Sequence, residues 1–277
     1  MSATSSKIVV ITGAAGTLCS AIARDFAKDG ARVALIGRTP EKVEALASEL
    51  EAAGQAAIGI GGDVTSVSDM RTACETVRSN WGEADVLING AGGKDQRAVT
   101  DKIRYTPEEL EGKAYGFFNL DMEALTGEIE LNTLGTIIPS QVFGAGMARK
   151  GAGSIVNFAS MNSYRPLSRM PGYALAKAGV VNFTQWLADY LAPAGIRVNA
   201  VAPGFFVNER SRKLLLTPDG GFSERGKQVV AHTPAGRFGT AEEIVGAVRW
   251  LADDGKAAFV TGVCVPVDGG FLACSGL

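Results

Sequence analysis

The sequence predicts a single α/β domain of the doubly wound kind, with a seven-stranded, mostly parallel sheet covered by helices on both faces. Short β-branched runs alternate with longer helical patterns, and the strands begin at intervals that fit β–α–β crossovers. Helix-capping residues agree with several of the predicted helix starts. Because residues 1–277 contain no linker, repeat or low-complexity tract, we expect one domain over the whole length.

Each strand is predicted from a short apolar run, and each helix from a longer periodic pattern. The predicted strands are Ile8–Ile11, Arg32–Ile36, Ala57–Ile60, Val86–Asn89, Ser154–Phe158, Arg197–Ala202 and Val263–Val267. The predicted helices are Leu18–Lys28, Glu41–Ala53, Val67–Asn80, Ile129–Arg149, Tyr173–Leu191 and Ala241–Ala252. Thr39-Pro40 places proline at the first position of the second helix, and Thr240 with Glu243 has the form of a capping box.

Two segments interrupt this alternation. Residues 93–128 are rich in charged and aromatic side chains and are predicted to form an excursion over the surface. Residues 204–238 contain glycine, proline and several basic residues and are predicted to form a mobile substrate flap. Segments of this length without regular structure are usually functional in a compact domain.

The composition excludes several classes of protein. The chain is 46% hydrophobic and 20% charged with a formal net charge of −2, which excludes a disordered chain and gives no reason to expect nucleic acid as a partner. Four cysteines without a CxxC pair and a single histidine, His232, predict no metal site and a reducing compartment. Residues 1–7 lack an apolar signal core, and no apolar run approaches the ~18 residues of a membrane span. We therefore predict a cytoplasmic protein without a membrane partner.

The segment Val9–Thr17 is an apolar strand that leads into a turn of small residues and then into the first helix. Small residues let the backbone approach a pyrophosphate, and the N-terminus of a helix offers free N–H groups to it. Glycine makes up 35 of the 277 residues, which is 12.6% against a usual ~7%. This excess also favours close contact between backbone and ligand. A tight turn without a ligand is the alternative, but the first β–α unit is where such folds bind dinucleotides.

The second strand ends in Gly37-Arg38, which bears on the choice of nucleotide. An acidic residue at this place would bind the ribose hydroxyls of NAD(H), whereas an arginine accommodates the 2′-phosphate of NADP(H). Arg38 therefore favours NADP(H), and NAD(H) stays possible because Arg38 could also be an ordinary surface residue.

A second motif is a candidate catalytic group made of Ser160, Tyr173 and Lys177. Tyr173 and Lys177 are four residues apart in a predicted helix, so their side chains share one face. A cation beside a phenol favours the phenolate, and we therefore expect the pKa of Tyr173 to fall from about 10. Such a tyrosine is suited to donate a proton to a carbonyl or to accept one from an alcohol. Ser160, just beyond a strand end, is placed to hold the same oxygen.

The order of these motifs resembles the classical short-chain dehydrogenase/reductase family along nearly the whole chain. The motifs that carry the resemblance are Thr12-Gly13, Asp63-Val64, Asn89-Gly90-Ala91-Gly92, Asn132, Ser160, Tyr173 with Lys177, Pro203-Gly204 and Val267-Asp268-Gly269-Gly270. The resemblance implies a Rossmann-type fold, a nicotinamide cofactor and a homo-oligomer, a tetramer or a dimer. It implies that Tyr173 donates the proton, that Ser160 polarises the carbonyl and that Lys177 binds the nicotinamide ribose. Asn132 would support a water relay to Lys177.

The same resemblance implies which residues contact the cofactor. Together with Arg38, Tyr173 and Lys177 they are Gly13, Ala15, Thr17, Leu18, Asp63, Val64, Asn89, Ala91, Gly92, Pro203, Gly204 and Phe206. The chain departs from the family pattern where Thr17 and Cys19 replace glycines of the phosphate turn, and where Asn208 stands in place of a frequent threonine. These departures concern the phosphate and carboxamide contacts.

The long excursion and the segments around Ser160, Pro203 and His232 are similar to the D-mannonate oxidoreductases (fructuronate reductases) of this family. That similarity implies a sugar-acid substrate. Cations near the strand ends are consistent with a carboxylate, because arginine and lysine bind it well. Arg165 is the first choice for this role, with Lys94 beside it, and Ser160 and Asn162 complete the predicted substrate contacts. Arg97, Arg210 and Arg212 are further cations of these two segments.

Three alternatives stay open at this point. The enzyme could act on another sugar acid or polyol of the gluconate type, or on a lipid-like carbonyl compound. The chain could also be a dinucleotide-binding regulator without turnover, although a regulator has no need of the proton donor Tyr173. For His232, a contact with a substrate hydroxyl and a purely structural role are both possible.

Overall fold

The computed structural model describes residues 6–274, apart from the side chains of Glu209 and Arg210. Seven strands form one sheet: β1 Ile8–Thr12, β2 Arg32–Gly37, β3 Ala57–Gly61, β4 Val86–Asn89, β5 Gly153–Phe158, β6 Ile196–Pro203 and β7 Cys264–Val267. They lie in the order β3-β2-β1-β4-β5-β6-β7, and every pairing among them is parallel. The predicted seven-stranded doubly wound fold is confirmed.

Eight α-helices accompany the sheet in the described part of the chain. They are α1 Thr17–Lys28, α2 Pro40–Ala52, α3 Val67–Trp81, α4 Met122–Lys150, α5 Pro171–Leu191, α6 Glu209–Leu215, α7 Glu224–Ala231 and α8 Val245–Ala252. Pro40 occupies the start of α2 as predicted, and the capping box of Thr240 and Glu243 precedes α8 through a short 3₁₀ turn. None of the helices in residues 6–274 is long and apolar enough to cross a membrane.

Alternation along the central strands divides the core into two layers. In β1, Val9 and Ile11 pack with buried residues of α1, α2 and α8, whereas Ile8 and Val10 pack with those of α3, α4 and α5. Because successive side chains of a strand point to opposite faces, a strand between two helical layers has to be apolar at every position. All five residues of β1 are buried.

Helix α4 begins seven residues earlier than predicted, at Met122 rather than Ile129. Asp121 caps it by accepting hydrogen bonds from the backbone N–H groups of Glu123 and Ala124, both at 3.0 Å. The surface excursion therefore ends at residue 121, and Glu128 lies inside a helix, one turn before Asn132. Aspartate is a preferred N-cap residue, so Asp121 could have indicated this start, but the helix was predicted from its apolar periodicity instead.

The predicted flap 204–238 also contains regular structure, because α6 and α7 lie within it. Its two ends meet where Phe206 forms a parallel β-bridge with Gly239, and Leu216 and Phe222 form a second bridge within it. The segment is therefore a helical hairpin that starts directly after β6.

Candidate active site

The site lies at the carboxyl ends of β1, β4, β5 and β6. Strand β1 is flanked by β2 on one side and β4 on the other, which is the switch point where doubly wound sheets bind ligands. The turn after β1 presses against the segment after β4, since a Cβ at Gly13 would lie 2.7 Å from the Ala91 Cα atom. Gly13 also has a φ of +63°, which favours glycine. Gly16 caps α1 without a side chain, so the first N–H groups of this helix are available to a phosphate.

Cys19 stands where the family has its last turn glycine, and the structure shows how the chain accommodates it. Its thiol is buried, and a Cβ on Gly90 would lie only 2.1 Å from its sulfur atom. Burial raises the pKa of this thiol to about 12, so it is protonated and unreactive at neutral pH. The absence of a side chain at Gly90 thus leaves room for the Cys19 thiol, so the cysteine fits without displacing the backbone of the turn.

The residues predicted around the adenosine lie on the β1–β3 side of the site. Arg38 is exposed directly after β2. The Asp63 carboxylate accepts hydrogen bonds from the Thr65 backbone at 2.8 Å and from the Thr65 hydroxyl at 2.7 Å, and Val64 is buried beside it. Ala15, Thr17 and Leu18 are at least partly accessible in the turn and first turn of α1.

The structure brings Ser160, Tyr173 and Lys177 together. Lys177 is buried and donates a hydrogen bond to the carbonyl of Phe158 at 2.7 Å, and its ammonium lies 5.7 Å from the centre of the Tyr173 ring. The Ser160 side chain lies near Tyr173 and acts to lower its pKa, and the Ser160 Oγ atom accepts a hydrogen bond from the Asn162 backbone at 3.2 Å. Helix α5 begins at Pro171, so Tyr173 and Lys177 both face the end of β5.

The electrostatics of this group differ from the expectation for Tyr173. Burial raises the pKa of Tyr173, the negative charge of Glu128 raises it further, and the hydrogen bond from Ser160 offsets only part of this shift. Burial also lowers the pKa of Lys177 to about 8, so that it is an ammonium at neutral pH. The predicted lowering of the tyrosine pKa is therefore wrong for the protein alone, because burial disfavours the charged phenolate.

Asn132 holds the backbone that would lie beneath the nicotinamide. Its Nδ2 group donates to the Gly93 carbonyl at 2.7 Å, and its Oδ1 atom accepts from the Gly93 N–H at 3.2 Å. A Cβ on Gly92 would lie 2.6 Å from the Asn132 Oδ1 atom and 3.2 Å from the Lys177 Nζ atom. Gly92 therefore leaves a hollow between two polar side chains, which fits a ribose with its hydroxyls. The water relay through Asn132 stays a prediction.

Two predicted cofactor contacts point elsewhere with their side chains. The Asn89 amide donates to Ser140 at 2.8 Å and to Asn157 at 2.9 Å, so it ties β4 to α4 and β5. The Phe206 ring is buried in the core against Gly239. If Asn89 and Phe206 contact a cofactor, they do so through their backbone atoms. Pro203 and Gly204 lie at the end of β6, where the Gly204 N–H donates to the Val267 carbonyl at 2.9 Å.

Of the cations predicted to bind a carboxylate, only some lie near the candidate catalytic residues. Arg165 is exposed and donates to the carbonyls of Cys274 at 2.7 Å and Leu272 at 3.4 Å, so it holds the C-terminal segment. Arg97 pairs with Asp95 and Asp121, Arg212 is exposed on α6, and the Arg210 side chain lies outside the described residues. Lys94 lies at the catalytic mouth, with its ammonium 3.8 Å from the Met170 sulfur atom.

Sequence reasoning missed Glu128, which is buried beside the catalytic group with only 3% of its surface exposed. It packs behind Gly172, whose Cβ would lie 2.8 Å from the Glu128 Oε2 atom, and neither carboxylate oxygen has a hydrogen-bond partner within the described residues. Burial raises its pKa to about 7, although Lys94 and the nearby Asp95 amide oppose this shift. Its position one helical turn before Asn132 would have revealed it if α4 had been predicted from Met122.

His232 has a structural partner. Its Nδ1 atom lies 2.8 Å from the Gln228 carbonyl of the same helix, and the side chain is exposed. Asn162, predicted to contact the substrate, is buried and its Oδ1 atom accepts from the Leu167 N–H at 2.7 Å, which shapes the loop before α5.

Comparison with known proteins identifies the family. Residues 7–217 match the family model described as short chain dehydrogenase. The chain belongs to this family. The resemblance drawn from the motifs is confirmed, and this short-chain dehydrogenase is an oxidoreductase that uses a nicotinamide dinucleotide and acts on CH–OH groups.

Individual relatives cover almost the whole chain. The uncharacterized oxidoreductase UxuB of Bacillus subtilis is 42% identical over 271 residues, which are 98% of this chain and 96% of that protein. A proposed D-mannonate oxidoreductase from Haemophilus influenza with bound NAD has a TM-score of 0.93 at 39% identity, with 99% of both chains covered. A gluconate 5-dehydrogenase from Burkholderia cenocepacia, solved with NADP and tartrate, has a TM-score of 0.82 at 28% identity, with 97% of this chain and 96% of that chain covered.

Proposed function

We propose that this short-chain dehydrogenase interconverts D-fructuronate and D-mannonate. The proposal is carried by Lys94, a cation at the mouth of the site that interacts electrostatically with Glu128, the carboxylate that also acts on Tyr173. A cation at the mouth of the site suits a substrate that carries a carboxylate in addition to its carbonyl group. The relatives named for D-mannonate and gluconate support the same class of substrate.

In the reducing direction, Ser160 donates a hydrogen bond to the ketone oxygen and Tyr173 transfers its hydroxyl proton to the same atom. When bound, the nicotinamide supplies the hydride for the carbonyl carbon. Lys177 holds a positive charge beside Tyr173 at neutral pH and therefore stabilises the phenolate that remains. The raised pKa of Tyr173 keeps the phenol protonated until that moment.

The substrate is tested by assaying the purified enzyme with D-mannonate, D-fructuronate, gluconate, keto-gluconates and neutral polyols, each with both cofactors. We expect the highest kcat/KM for the D-fructuronate and D-mannonate pair. A higher value for gluconate or a keto-gluconate would favour the second candidate function, which the gluconate 5-dehydrogenase relative supports. A higher value for neutral polyols would contradict a sugar-acid enzyme, and cofactor binding without any turnover would indicate a regulator.

The proposed cofactor preference is for NADP(H), and it depends on Arg38. Its exposed guanidinium stands directly after β2, where a 2′-phosphate would lie. We expect Arg38→Asp to lower kcat/KM with NADP(H) by about 10- to 100-fold and to leave or improve that with NAD(H), because a charge-assisted contact is replaced by repulsion. Steady-state kinetics with both cofactors measure this, with Arg32→Asp as a control at the other end of the strand. An unchanged ratio would show that Arg38 does not contact the phosphate.

We further propose that the enzyme is a homo-oligomer, a tetramer or a dimer. On α5, the rings of Phe183, Trp186 and Tyr190 form a stacked row, with centroids 6.3 Å and 5.0 Å apart. More than half of the surface of Trp186 and of Tyr190 is exposed in the single chain. Such a surface is typical of a contact between subunits.

A further inference from the structure

Two arginines from different segments lie within electrostatic range of Lys94, near the candidate catalytic site. Lys94 follows β4 in the surface excursion, Arg169 precedes α5, and Arg225 is the second residue of α7. Lys94 interacts electrostatically with both arginines, and its ammonium contacts the sulfur atom of Met170, the neighbour of Arg169. Segments remote in the sequence therefore bring positive charge into the region around Lys94.

Arg225 is the member of this group that most clearly needs a ligand. It is half-buried, and within the described part of the chain no hydrogen bond or ion pair engages its guanidinium. Its neighbours behave differently, since Lys227 on the same helix pairs with Glu224 at 2.7 Å and Arg237 pairs with Glu243 at 2.6 Å. A partly buried cation without a partner is costly, unless an anion completes the site.

Arg169 is anchored to the excursion that carries Lys94. Its Nε atom donates a hydrogen bond to the carbonyl of Thr100, and its own carbonyl accepts from the Thr100 N–H at 3.0 Å. Its φ of +78° is unusual for a residue with a side chain, so the loop holds it in a conformation that costs energy.

Glu128 compensates only part of this charge. It is the carboxylate that acts on Lys94, and it is buried without a hydrogen-bond partner for either oxygen in residues 6–274. Asp95, the other carboxylate close to Glu128, is already bound by Arg97 at 2.8 Å. One carboxylate against three cations leaves a positive excess at the mouth of the site.

We infer that Lys94, Arg169 and Arg225 bind the carboxylate of the substrate, with Arg225 as the ligand contributed by the helical flap. The inference rests on the proposed function, because it assigns the acid group of a sugar acid to these residues. A guanidinium binds both oxygens of a carboxylate in a fork, whereas an ammonium acts as a point charge. Glu128 would keep Lys94 in place while the site is empty.

The test compares Arg225→Gln with Lys227→Gln, which removes the same charge from the exposed face of the same helix. For the cofactor-saturated enzyme we expect Arg225→Gln to raise KM for D-mannonate by about 10- to 100-fold, with kcat changed by less than about 3-fold, because a charge-assisted contact remote from the carbonyl is lost. We expect Lys227→Gln to match the wild type and Arg225→Lys to recover part of the loss. KM for D-mannitol, which lacks the carboxylate, should not change in any variant.

An unchanged KM for D-mannonate in Arg225→Gln would overturn the inference and leave the proposed function intact. An equal rise for D-mannitol would overturn it as well, since the effect would then not concern the carboxylate. If the wild type turns over no sugar acid, the proposed function fails. Calorimetric titration of the cofactor-loaded enzyme with D-mannonate then decides the inference by itself. Binding that Arg225→Gln abolishes supports it, and equal or absent binding overturns it.

Discussion

Tyr173→Phe is expected to lower kcat by about 10²- to 10⁴-fold, because it removes the group that transfers the proton to or from the substrate oxygen. The ring stays in place, so the packing of α5 should not change. In the structure the Tyr173 side chain lies near Ser160, and its ring lies 5.7 Å from the Lys177 ammonium. No other phenol of the described chain is placed between those two side chains.

Steady-state kinetics in both directions measure this effect, and cofactor titration by fluorescence shows whether the binding site is intact. We expect the dissociation constant of the cofactor to stay within about 3-fold of the wild type. Tyr190→Phe removes the same hydroxyl from an exposed position of the same helix and serves as the control. Near-normal turnover in Tyr173→Phe would refute the assignment of the proton donor.

Lys177→Met is expected to produce a loss of similar size, about 10²- to 10⁴-fold in kcat/KM, because two roles disappear together. The ammonium no longer stabilises the phenolate of Tyr173, and the hollow at Gly92 loses one of its two polar walls. Initial-rate kinetics with varied cofactor and varied substrate measure both parts. A normal KM for the cofactor would show that Lys177 does not contact it, and a normal kcat would exclude its effect on Tyr173.

The same substitution should also change how stability depends on pH. The pKa of Lys177 falls from 10.5 to about 8 on folding, so between these values the unfolded chain binds more protons than the folded chain. The free energy of unfolding of the wild type should therefore rise with pH across this window, by at most about 3 kcal/mol. The methionine variant lacks this contribution. We expect its Tm relative to the wild type to decline between pH 8 and pH 10, and a constant difference would contradict the low pKa of Lys177.

Much of the architecture could be predicted from the sequence because it depends on local patterns. All seven predicted strands start within one residue of the observed ones, and the start of α2 at Pro40 follows from its proline. Helices α6 and α7 were not predicted, and α4 starts earlier than predicted, since residues 122–128 lack the apolar periodicity that marks a helix. There the cap at Asp121 and packing against the site decide the structure.

The meeting of the proposed catalytic residues could also be predicted, because they have a spacing and an order that belong to one family. Ser160, Tyr173 and Lys177 meet in the structure as expected. The direction of the pKa shift of Tyr173, however, could not be predicted from the identities of these three residues. That shift depends on how deeply the ring is buried and on Glu128, a residue from another helix. Desolvation is a property of the assembled site, so no pattern in the sequence contains it.

The sequence by itself thus determined the sheet, the small-residue turn after β1 and the grouping of Ser160, Tyr173 and Lys177. Only the tertiary structure decided which cations lie at the mouth of the site. Arg165, the first choice for binding the carboxylate, instead holds the C-terminal segment. Arg169 and Arg225 both interact electrostatically with Lys94, although these two arginines are 56 positions apart in the sequence. The reason is physical: periodicity and capping act over a few residues, but the convergence of charges depends on how whole elements pack.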